Sequence, residues 1–344
     1  MKAAIVESPG HLVVRDLPEP VPARYEVLTE QLFGSICAAT DRHLIAGKLP
    51  IPGISYPLIL GHESIGRVVE TGPGVRHLKP GDLVTRTGAP ALEGCKPFWG
   101  GFAEVGIARD VRAMQEDGLP EADWASHAFN LLLPAGTDPA AATMMITWRE
   151  TLSYIRRLGI TPGAHVLILG SGGNGFSFAV LAQLLGAGHV AMLGNAHWAA
   201  LAGRAGIQSF ADYREPAAAI DIFRSAAPGG YDIIIDAVGH SGGLEAVIPL
   251  LKQGGAIGLY GIEDLGERMG YLKTLGEQGF RVHGPGEYAE PEAHDAVVSL
   301  LQAGKLDATL WFDPAAAPAL EDIAEAIAAI DQRKSLKALV RIRG

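Results

Sequence analysis

The chain has 344 residues, of which 48% are hydrophobic and 19% are charged, so it is too apolar and too weakly charged to be disordered. Its length suits two compact domains better than one. The net charge of −10, with no dense run of Lys or Arg, argues against nucleic acid as the main partner. Two cysteines, Cys37 and Cys95, are too few for a disulfide framework, which favours a reducing compartment.

The amino terminus predicts a first strand and not a leader peptide. Residues 3–6 begin a β-branched run without the long apolar core of a signal peptide. The richest apolar stretch, residues 140–148, is far shorter than the roughly 18 to 20 residues that a membrane helix needs. We therefore expect a soluble, cytoplasmic protein that does not associate with a membrane.

Short β-branched runs separated by Gly and Pro turns follow one another through residues 1–110. The predicted strands are 3–6, 12–14, 27–31, 64–70 and 83–87. Short strands with frequent turns are typical of an all-β sandwich or a distorted barrel. This pattern predicts a β domain over residues 1–148.

The pattern changes near residue 140, where apolar strands begin to alternate with helices. The predicted elements are a helix at 140–158, a strand at 165–169, a helix at 175–185, and strands at 190–193, 232–235 and 256–260. Fully apolar strands that alternate with helices indicate a parallel sheet covered on both faces, so the fold class is α/β. We assign this second domain to residues 149–287.

The carboxyl-terminal segment, residues 288–344, predicts helices at 292–303 and 319–331 and a closing strand at 338–342.

A glycine-rich turn joins the strand 165–169 to the helix that follows. Gly170, Gly172 and Gly175 form G-x-G-x-x-G, with Gly173 and Asn174 between them. The first glycine permits the tight turn, the second lets the backbone approach a pyrophosphate, and the third lets helix and strand pack closely. An anion then lies on the unpaired amides of the helix N-terminus. The strand and the helix on either side favour dinucleotide binding over a plain structural turn.

The end of the second strand bears on which dinucleotide binds. An acidic side chain there would bind the adenosine ribose hydroxyls, but Gly194 takes this place, followed by Asn195 and by His197. A small residue leaves room for a 2′-phosphate, to which Asn195 or His197 would donate. The alternative for these two side chains is an ordinary strand-end turn. We favour NADP over NAD as the cofactor.

Several motifs in a fixed order resemble those of the medium-chain dehydrogenase/reductase family, in its zinc-type alcohol and polyol dehydrogenase branch. They are G-H-E-x-x-G at 61–66, P-G-D-x-V at 80–84, the strand 231–239 and K-S-L-K at 334–337. The resemblance implies a GroES-like β domain, an inserted Rossmann domain with a doubly wound parallel sheet, and a tail that returns to the first domain. It also implies an active site in the cleft between the domains, Lys337 on the cofactor phosphates, and a homodimer or homotetramer.

The same resemblance implies a catalytic zinc. Cys37 and His62 stand where the family places two zinc ligands, and Thr40 and His43 resemble its proton relay. Thiolate and imidazole are ligands that suit Zn²⁺. Taken singly, Cys37 also fits a small core residue and His43 a surface histidine.

Two departures concern this zinc. The segment from Cys37 to His43 has one residue more than the family pattern, and Ile146 stands where the family has its third ligand. Glu63 is the best substitute, Glu150 is a weaker one, and a vacant site is the remaining option. A second, structural zinc is not expected, because the stretch 86–101 contains Cys95 as its one thiol.

The leading hypothesis is therefore an NAD(P)-dependent alcohol dehydrogenase or carbonyl reductase that uses one catalytic zinc and acts on a small-molecule alcohol or ketone. If the side chains of Phe98, Trp99, Ile146 and Trp148 line the cleft, they favour a bulky apolar substrate. A zinc-independent quinone or enone reductase is the second hypothesis. A non-catalytic NADP-binding protein is the third.

Overall fold

A computed structural model describes residues 1–49, 51–240 and 242–343. The chain divides into two compact units. Unit 1 comprises Met1–Ile146 and the segment that begins at His294, and unit 2 comprises Thr147–Ala293. The sequence predicts domain boundaries after residues 148 and 287; the two units change after Ile146 and after Ala293.

The strands of the described residues, in chain order, are β1 (Lys2–Ser8), β2 (His11–Asp16), β3 (Glu26–Ile36), β4 (Leu58–Ile59), β5 (Ser64–Thr71), β6 (Leu83–Thr85), β7 (Lys96–Pro97), β8 (Val105–Arg109), β9 (His165–Leu169), β10 (His189–Gly194), β11 (Ser209–Asp212), β12 (Tyr231–Asp236), β13 (Leu251–Leu259), β14 (Arg281–His283) and β15 (Ala338–Arg341).

The α-helices of the same residues are α1 (Thr40–Ala46), α2 (Val111–Glu116), α3 (Glu121–Trp124), α4 (Pro139–Ala142), α5 (Met144–Arg157), α6 (Gly173–Leu184), α7 (Ala199–Arg204), α8 (Pro216–Ala226), α9 (Gly243–Val247), α10 (Leu265–Glu277), α11 (Glu290–Gln302) and α12 (Ile323–Asp331). None of these helices combines the length and the apolar character that crossing a bilayer requires.

Unit 1 is built on two sheets. One has the strand order β2-β1-β4-β7, and the other has the order β15-β3-β5-β6, with β8 also pairing with β3. The last strand, β15, runs antiparallel to β3, with Ala338 opposite Ile36. The carboxyl-terminal segment therefore adds a strand to this sheet of unit 1.

Unit 2 is a parallel sheet with the strand order β11-β10-β9-β12-β13-β14. The central residues of its inner strands are apolar and buried, as in a parallel sheet covered by helices, and their core includes Leu167, Ala191, Ile234 and Ile257. Together with the β architecture of unit 1, this sheet confirms the predicted α/β fold class.

The predicted helix at 140–158 is divided in two. Thr143 separates α4 from α5 because its backbone N–H and its hydroxyl both bind the carbonyl of Ala140, at 3.3 and 2.8 Å. Such a local side-chain bond competes with the regular helical pattern, so the chain turns at this point.

Candidate functional site

The strand pair β3–β5 brings Cys37 and His62 together. Antiparallel pairing sets Gly34 opposite Ser64, so the residue after β3 and the residues before β5 lie at the same end of the sheet. The Ser35 N–H donates to the carbonyl of Glu63 at 2.8 Å and extends this pairing. Gly61 has φ 100°, and a Cβ there would lie 2.7 Å from the backbone nitrogen of Phe102. Glycine is therefore required where the chain turns into His62.

Three potential metal ligands converge at this position. The ligand atoms of Cys37, His62 and Glu63 lie within 4.8 Å of one another, and all three residues are buried. Sulfur, imidazole nitrogen and carboxylate oxygen form a donor set that suits tetrahedral Zn²⁺ with one open position. The residues of this cluster, which we call the ligand cluster, therefore fit the predicted metal by their chemistry.

Asp41 supports two members of the ligand cluster, and the sequence analysis did not identify it. One of its carboxylate oxygens accepts the Cys37 N–H at 2.8 Å, and the other lies 3.4 Å from Nδ1 of His62. Burial opposes the charged form of His62, but Asp41 and then Cys37 outweigh it and raise the pKa of His62 well above its ordinary value. Because Asp41 lies beside Nδ1, the other ring nitrogen, Nε2, is the one turned toward Glu63, 3.9 Å from Oε1.

Glu63 also binds the ammonium of Lys337. That ammonium contacts both carboxylate oxygens, and the Ser35 hydroxyl donates to one of them. Burial disfavours the charged carboxylate, yet Lys337 and His62 lower the pKa of Glu63. The predicted contact of Lys337 with cofactor phosphates stays a prediction, and a metal on Glu63 would share the carboxylate with this cation.

The two predicted relay residues lie on α1. Thr40 is its first residue and is half-buried, while Nδ1 of His43 lies 2.6 Å from the carbonyl oxygen of Ala39. Of the two other ligand positions considered, Ile146 is fully buried, and Glu150 in unit 2 accepts a hydrogen bond from the Tyr260 hydroxyl at 2.9 Å.

Aromatic rings lie beside the ligand cluster. The Trp99 ring is 5.0 Å from the His62 ring, and Phe98 packs edge-on against Trp99 at 4.5 Å. Trp99 has φ 64°, a left-handed conformation that is uncommon for a bulky residue. Of the four predicted pocket residues, Phe98 and Trp99 are partly exposed, whereas Ile146 and Trp148 have no exposed surface. The last two therefore serve as core residues.

Cys95 stands apart from the ligand cluster. It is buried, and its sulfur accepts a hydrogen bond from Arg15 Nη2 at 3.0 Å.

In unit 2 the three glycines of the turn have different surroundings. Gly170 has φ 106°, and a Cβ there would lie 2.6 Å from Val238 Cγ2. A Cβ at Gly175 would overlap the carbonyl oxygen of Gly170, whereas a Cβ at Gly172 would have nothing within 4 Å. Gly170 thus makes the turn, Gly175 permits close packing, and Gly172 leaves the backbone open to a ligand.

The first turn of α6 is suited to an anion. Gly172 is its N-cap and supplies no side-chain hydrogen bond, and Gly173 and Asn174 follow it in the helix. Backbone amides at the positive end of a helix form a favourable site for pyrophosphate. The open backbone at Gly172, next to this helix N-terminus, is the structural feature that fits a dinucleotide.

At the end of β10, Gly194 is explained by packing. A Cβ there would lie 2.5 Å from the Ser171 Cβ and 3.0 Å from the Phe210 ring. The Asn195 N–H donates to Ser171 Oγ at 2.9 Å, and its side chain accepts the His197 N–H at 3.0 Å. The Asn195 oxygen therefore caps a local turn, which is the alternative that the sequence analysis gave for this residue. The missing side chain at Gly194 is explained by packing and is not by itself evidence of room for a 2′-phosphate.

The chain is similar in sequence to known dehydrogenases. Residues 24–121 match the family model of the alcohol dehydrogenase GroES-like domain. The chain is 30% identical to L-galactonate-5-dehydrogenase of Escherichia coli over 187 residues, 54% of each chain. It is 31% identical to sorbitol dehydrogenase of Ovis aries over 191 residues, which cover 54% of this chain and 53% of that one. These matches therefore span about half the length of either relative.

A solved structure matches nearly the whole chain. A protein from Sinorhizobium meliloti 1021, crystallised with NADP, is 25% identical and has a TM-score of 0.78, with 99% of this chain and 98% of that chain covered. The similarity thus extends over unit 1 and unit 2.

Proposed function

We propose that the chain is a member of the medium-chain dehydrogenase/reductase family, in its zinc-type alcohol and polyol dehydrogenase branch, and that it is an NAD(P)-dependent alcohol dehydrogenase or carbonyl reductase; the matches to its relatives support this proposal. The observation that carries the proposal is the ligand cluster of Cys37, His62 and Glu63. In this proposal, unit 1 holds a metal and unit 2 holds the dinucleotide.

The ligand cluster would hold one Zn²⁺ through the Cys37 thiolate, Nε2 of His62 and the Glu63 carboxylate. A zinc ion with an open position polarises a carbonyl or lowers the pKa of an alcohol, which makes hydride transfer with a nicotinamide feasible. Asp41 would orient the imidazole through Nδ1 and so keep Nε2 available, an arrangement that outer-shell carboxylates commonly provide.

The remaining predicted site residues are assigned to proton transfer and to phosphate binding. We assign to Thr40 Oγ1 the exchange of the substrate hydroxyl proton, and to His43 its passage to solvent, as the resemblance implied. Gly172, Gly173 and Asn174 would bind the pyrophosphate of the dinucleotide with backbone amides at the start of α6.

Metal analysis of the purified protein tests the proposal directly. We expect close to one zinc per chain, and we expect Cys37→Ala and His62→Ala to lose both the metal and alcohol oxidation. Cys95→Ala is the matched control, because it removes the other buried cysteine at a site away from the ligand cluster. Wild-type protein that oxidises alcohols at full rate without metal would contradict the zinc role.

A metal-free quinone or enone reductase is the second candidate. The observation that favours it is the Lys337–Glu63 ion pair, which occupies the carboxylate that the metal needs. This candidate predicts NADPH-dependent reduction of an enone that survives both Cys37→Ala and His62→Ala, whereas the first candidate predicts alcohol oxidation that both substitutions abolish.

A further inference from the structure

The strand β11 adds charged side chains to the cofactor region of unit 2. It pairs in parallel with β10, and Gly194 lies opposite Asp212 at the carboxyl ends of the two strands. The Tyr213 N–H donates to the Gly194 carbonyl at 3.0 Å, which holds the following loop against β10. Paired strands lie about 4.8 Å apart, so this loop borders the position where a Rossmann domain receives the adenosine ribose.

Arg214 in that loop folds back toward β11. Its Nε lies 3.1 Å from both carboxylate oxygens of Asp212, and its Nη2 lies 2.6 Å from Oδ2. The guanidinium is thereby held next to the end of β10, although its side chain is 59% exposed. A planar guanidinium that is already oriented loses little freedom when it binds a phosphate.

Two charges thus compete for the nucleotide at this place. Asp212 is the acid that the end of β10 lacks, and a free carboxylate here would bind ribose hydroxyls and repel a 2′-phosphate. Arg214 lowers the pKa of Asp212 by hydrogen bonding and keeps the carboxylate charged and engaged. Nε and Nη2 of Arg214 bind Asp212, so Nη1 is the guanidinium nitrogen that this ion pair does not use.

We propose that Arg214, held by Asp212, is the cation that binds the adenosine 2′-phosphate and makes the protein prefer NADP over NAD. The inference rests on the proposed function, because it assigns a residue to the dinucleotide that this function requires. It also replaces the role given to Gly194, whose lack of a side chain is explained by Ser171 and Phe210.

Calorimetric binding of two nucleotide fragments isolates the phosphate from the rest of the cofactor. The full-length protein is titrated with 2′,5′-ADP and with 5′-AMP, and then with NADPH and NADH. For Arg214→Gln we expect 2′,5′-ADP and NADPH to bind about 10- to 100-fold more weakly, the range for a lost hydrogen bond to a charged group, while 5′-AMP and NADH are unchanged. Arg214→Lys, which keeps the charge, should recover part of the loss.

Arg224→Gln is the matched control. Arg224 is 60% exposed and pairs with Asp221 on α8 of the same unit, so its exposure and its partner resemble those of Arg214. It should leave all four affinities unchanged. An equal NADPH-to-NADH ratio in wild type and Arg214→Gln overturns the proposal. So does a loss of NADH and 5′-AMP binding in Asp212→Asn with no effect of Arg214→Gln, because Asp212 would then be the ribose ligand.

The two levels of the proposal fail differently. If the wild type binds neither dinucleotide nor either fragment, the proposed function itself is wrong. If the wild type binds NADPH and Arg214→Gln binds it equally well, the function stands and only the assignment to Arg214 falls.

Discussion

The ligand cluster in unit 1 consists of buried side chains, whereas the turn in unit 2 consists of backbone with glycines in place of larger residues. His62 and Glu63 depend on Asp41 and Lys337 for their charge balance. The turn depends on the space that its glycines leave. A site of the first kind is sensitive to a lost charge, and a site of the second kind is sensitive to an added methyl group.

The largest effect that this comparison predicts comes from Lys337→Met. The substitution keeps most of the side-chain volume but leaves the Glu63 carboxylate buried without its cation, since Lys337 and Glu63 are each only 3% exposed. We expect the free energy of unfolding in urea to fall by about 3 to 5 kcal/mol in metal-free protein, as for other buried pairs that lose one partner.

The double variant Glu63→Gln with Lys337→Met tests the reason for that loss. It removes both charges, so it should recover most of the stability. If the double variant is no more stable than Lys337→Met, the buried charge is not the cause. Added zinc should also stabilise Lys337→Met if Glu63 becomes a metal ligand, and an unchanged midpoint with zinc would contradict that role.

The same contrast explains which features the sequence revealed. The glycine turn was predicted from sequence because its requirements are local: a strand, a spacing of glycines and a helix lie within residues 165–185. The contacts of Asp41 with His62 and of Lys337 with Glu63 were not recognised, because they depend on the pairing of β3 with β5 and with β15. The motif around His62 and the segment from Cys37 to His43 pointed to the cluster itself through the resemblance to the family.

The strand β11 was missed for a different reason. It has four residues, only one of which is buried, so it lacks the apolar run that identified β9, β10 and β12. Without β11, the register that sets Asp212 beside Gly194 cannot be inferred. The search for an acid after β10 therefore stopped at Asn195 and His197, although a carboxylate lies on the neighbouring strand.

The next largest effect is predicted at the turn itself. In Gly175→Ala the new Cβ overlaps the Gly170 carbonyl oxygen, a backbone atom that cannot move aside without displacing β9 or α6. We expect a loss of about 3 kcal/mol in the free energy of unfolding, the upper end for overpacking, together with loss of NADPH binding.

Gly172→Ala is the matched variant for that experiment, because a Cβ at Gly172 has nothing within 4 Å. It should leave the thermal midpoint almost unchanged and weaken NADPH binding, since the methyl group stands where the backbone meets the pyrophosphate. Equal destabilisation by the two substitutions would show that steric overlap is not what distinguishes these glycines.

A smaller effect is predicted for Asp41→Asn, which keeps the shape of the side chain and removes its charge. The carboxylate lies beside His62 Nδ1 and accepts the Cys37 N–H, so it acts on a metal only through these two residues. We expect zinc affinity to fall by about 10- to 100-fold, as for other outer-shell carboxylates. Competition with a zinc chelator measures this affinity without an activity assay, and an unchanged affinity would remove Asp41 from the site.

The smallest effect is predicted for an exposed ion pair. It tests whether the Lys337–Glu63 pair in unit 1 is sensitive to a lost charge because it is buried, and not merely because it is an ion pair. Unit 2 has an ion pair of good geometry on its surface, in which Arg157 binds Glu292 through Nε at 2.9 Å and Nη2 at 2.7 Å. The two side chains are 42% and 44% exposed. Glu292→Gln should therefore cost less than about 1 kcal/mol at neutral pH, as is usual for exposed pairs.

The pH dependence of the stability difference between wild type and Glu292→Gln tests whether the Arg157–Glu292 ion pair causes that difference. Arg157, and then Ser153, lower the pKa of Glu292 to about 2 in the folded protein. A carboxyl whose pKa is lower when folded stabilises the fold above its unfolded pKa, roughly 4.3, and loses this contribution as the pH falls. The gap in thermal midpoint between wild type and Glu292→Gln should thus persist from pH 7 to 5 and shrink from pH 4 toward 2. If Glu292→Gln lowered the free energy of unfolding as much as Lys337→Met does, burial would not be what distinguishes the two ion pairs.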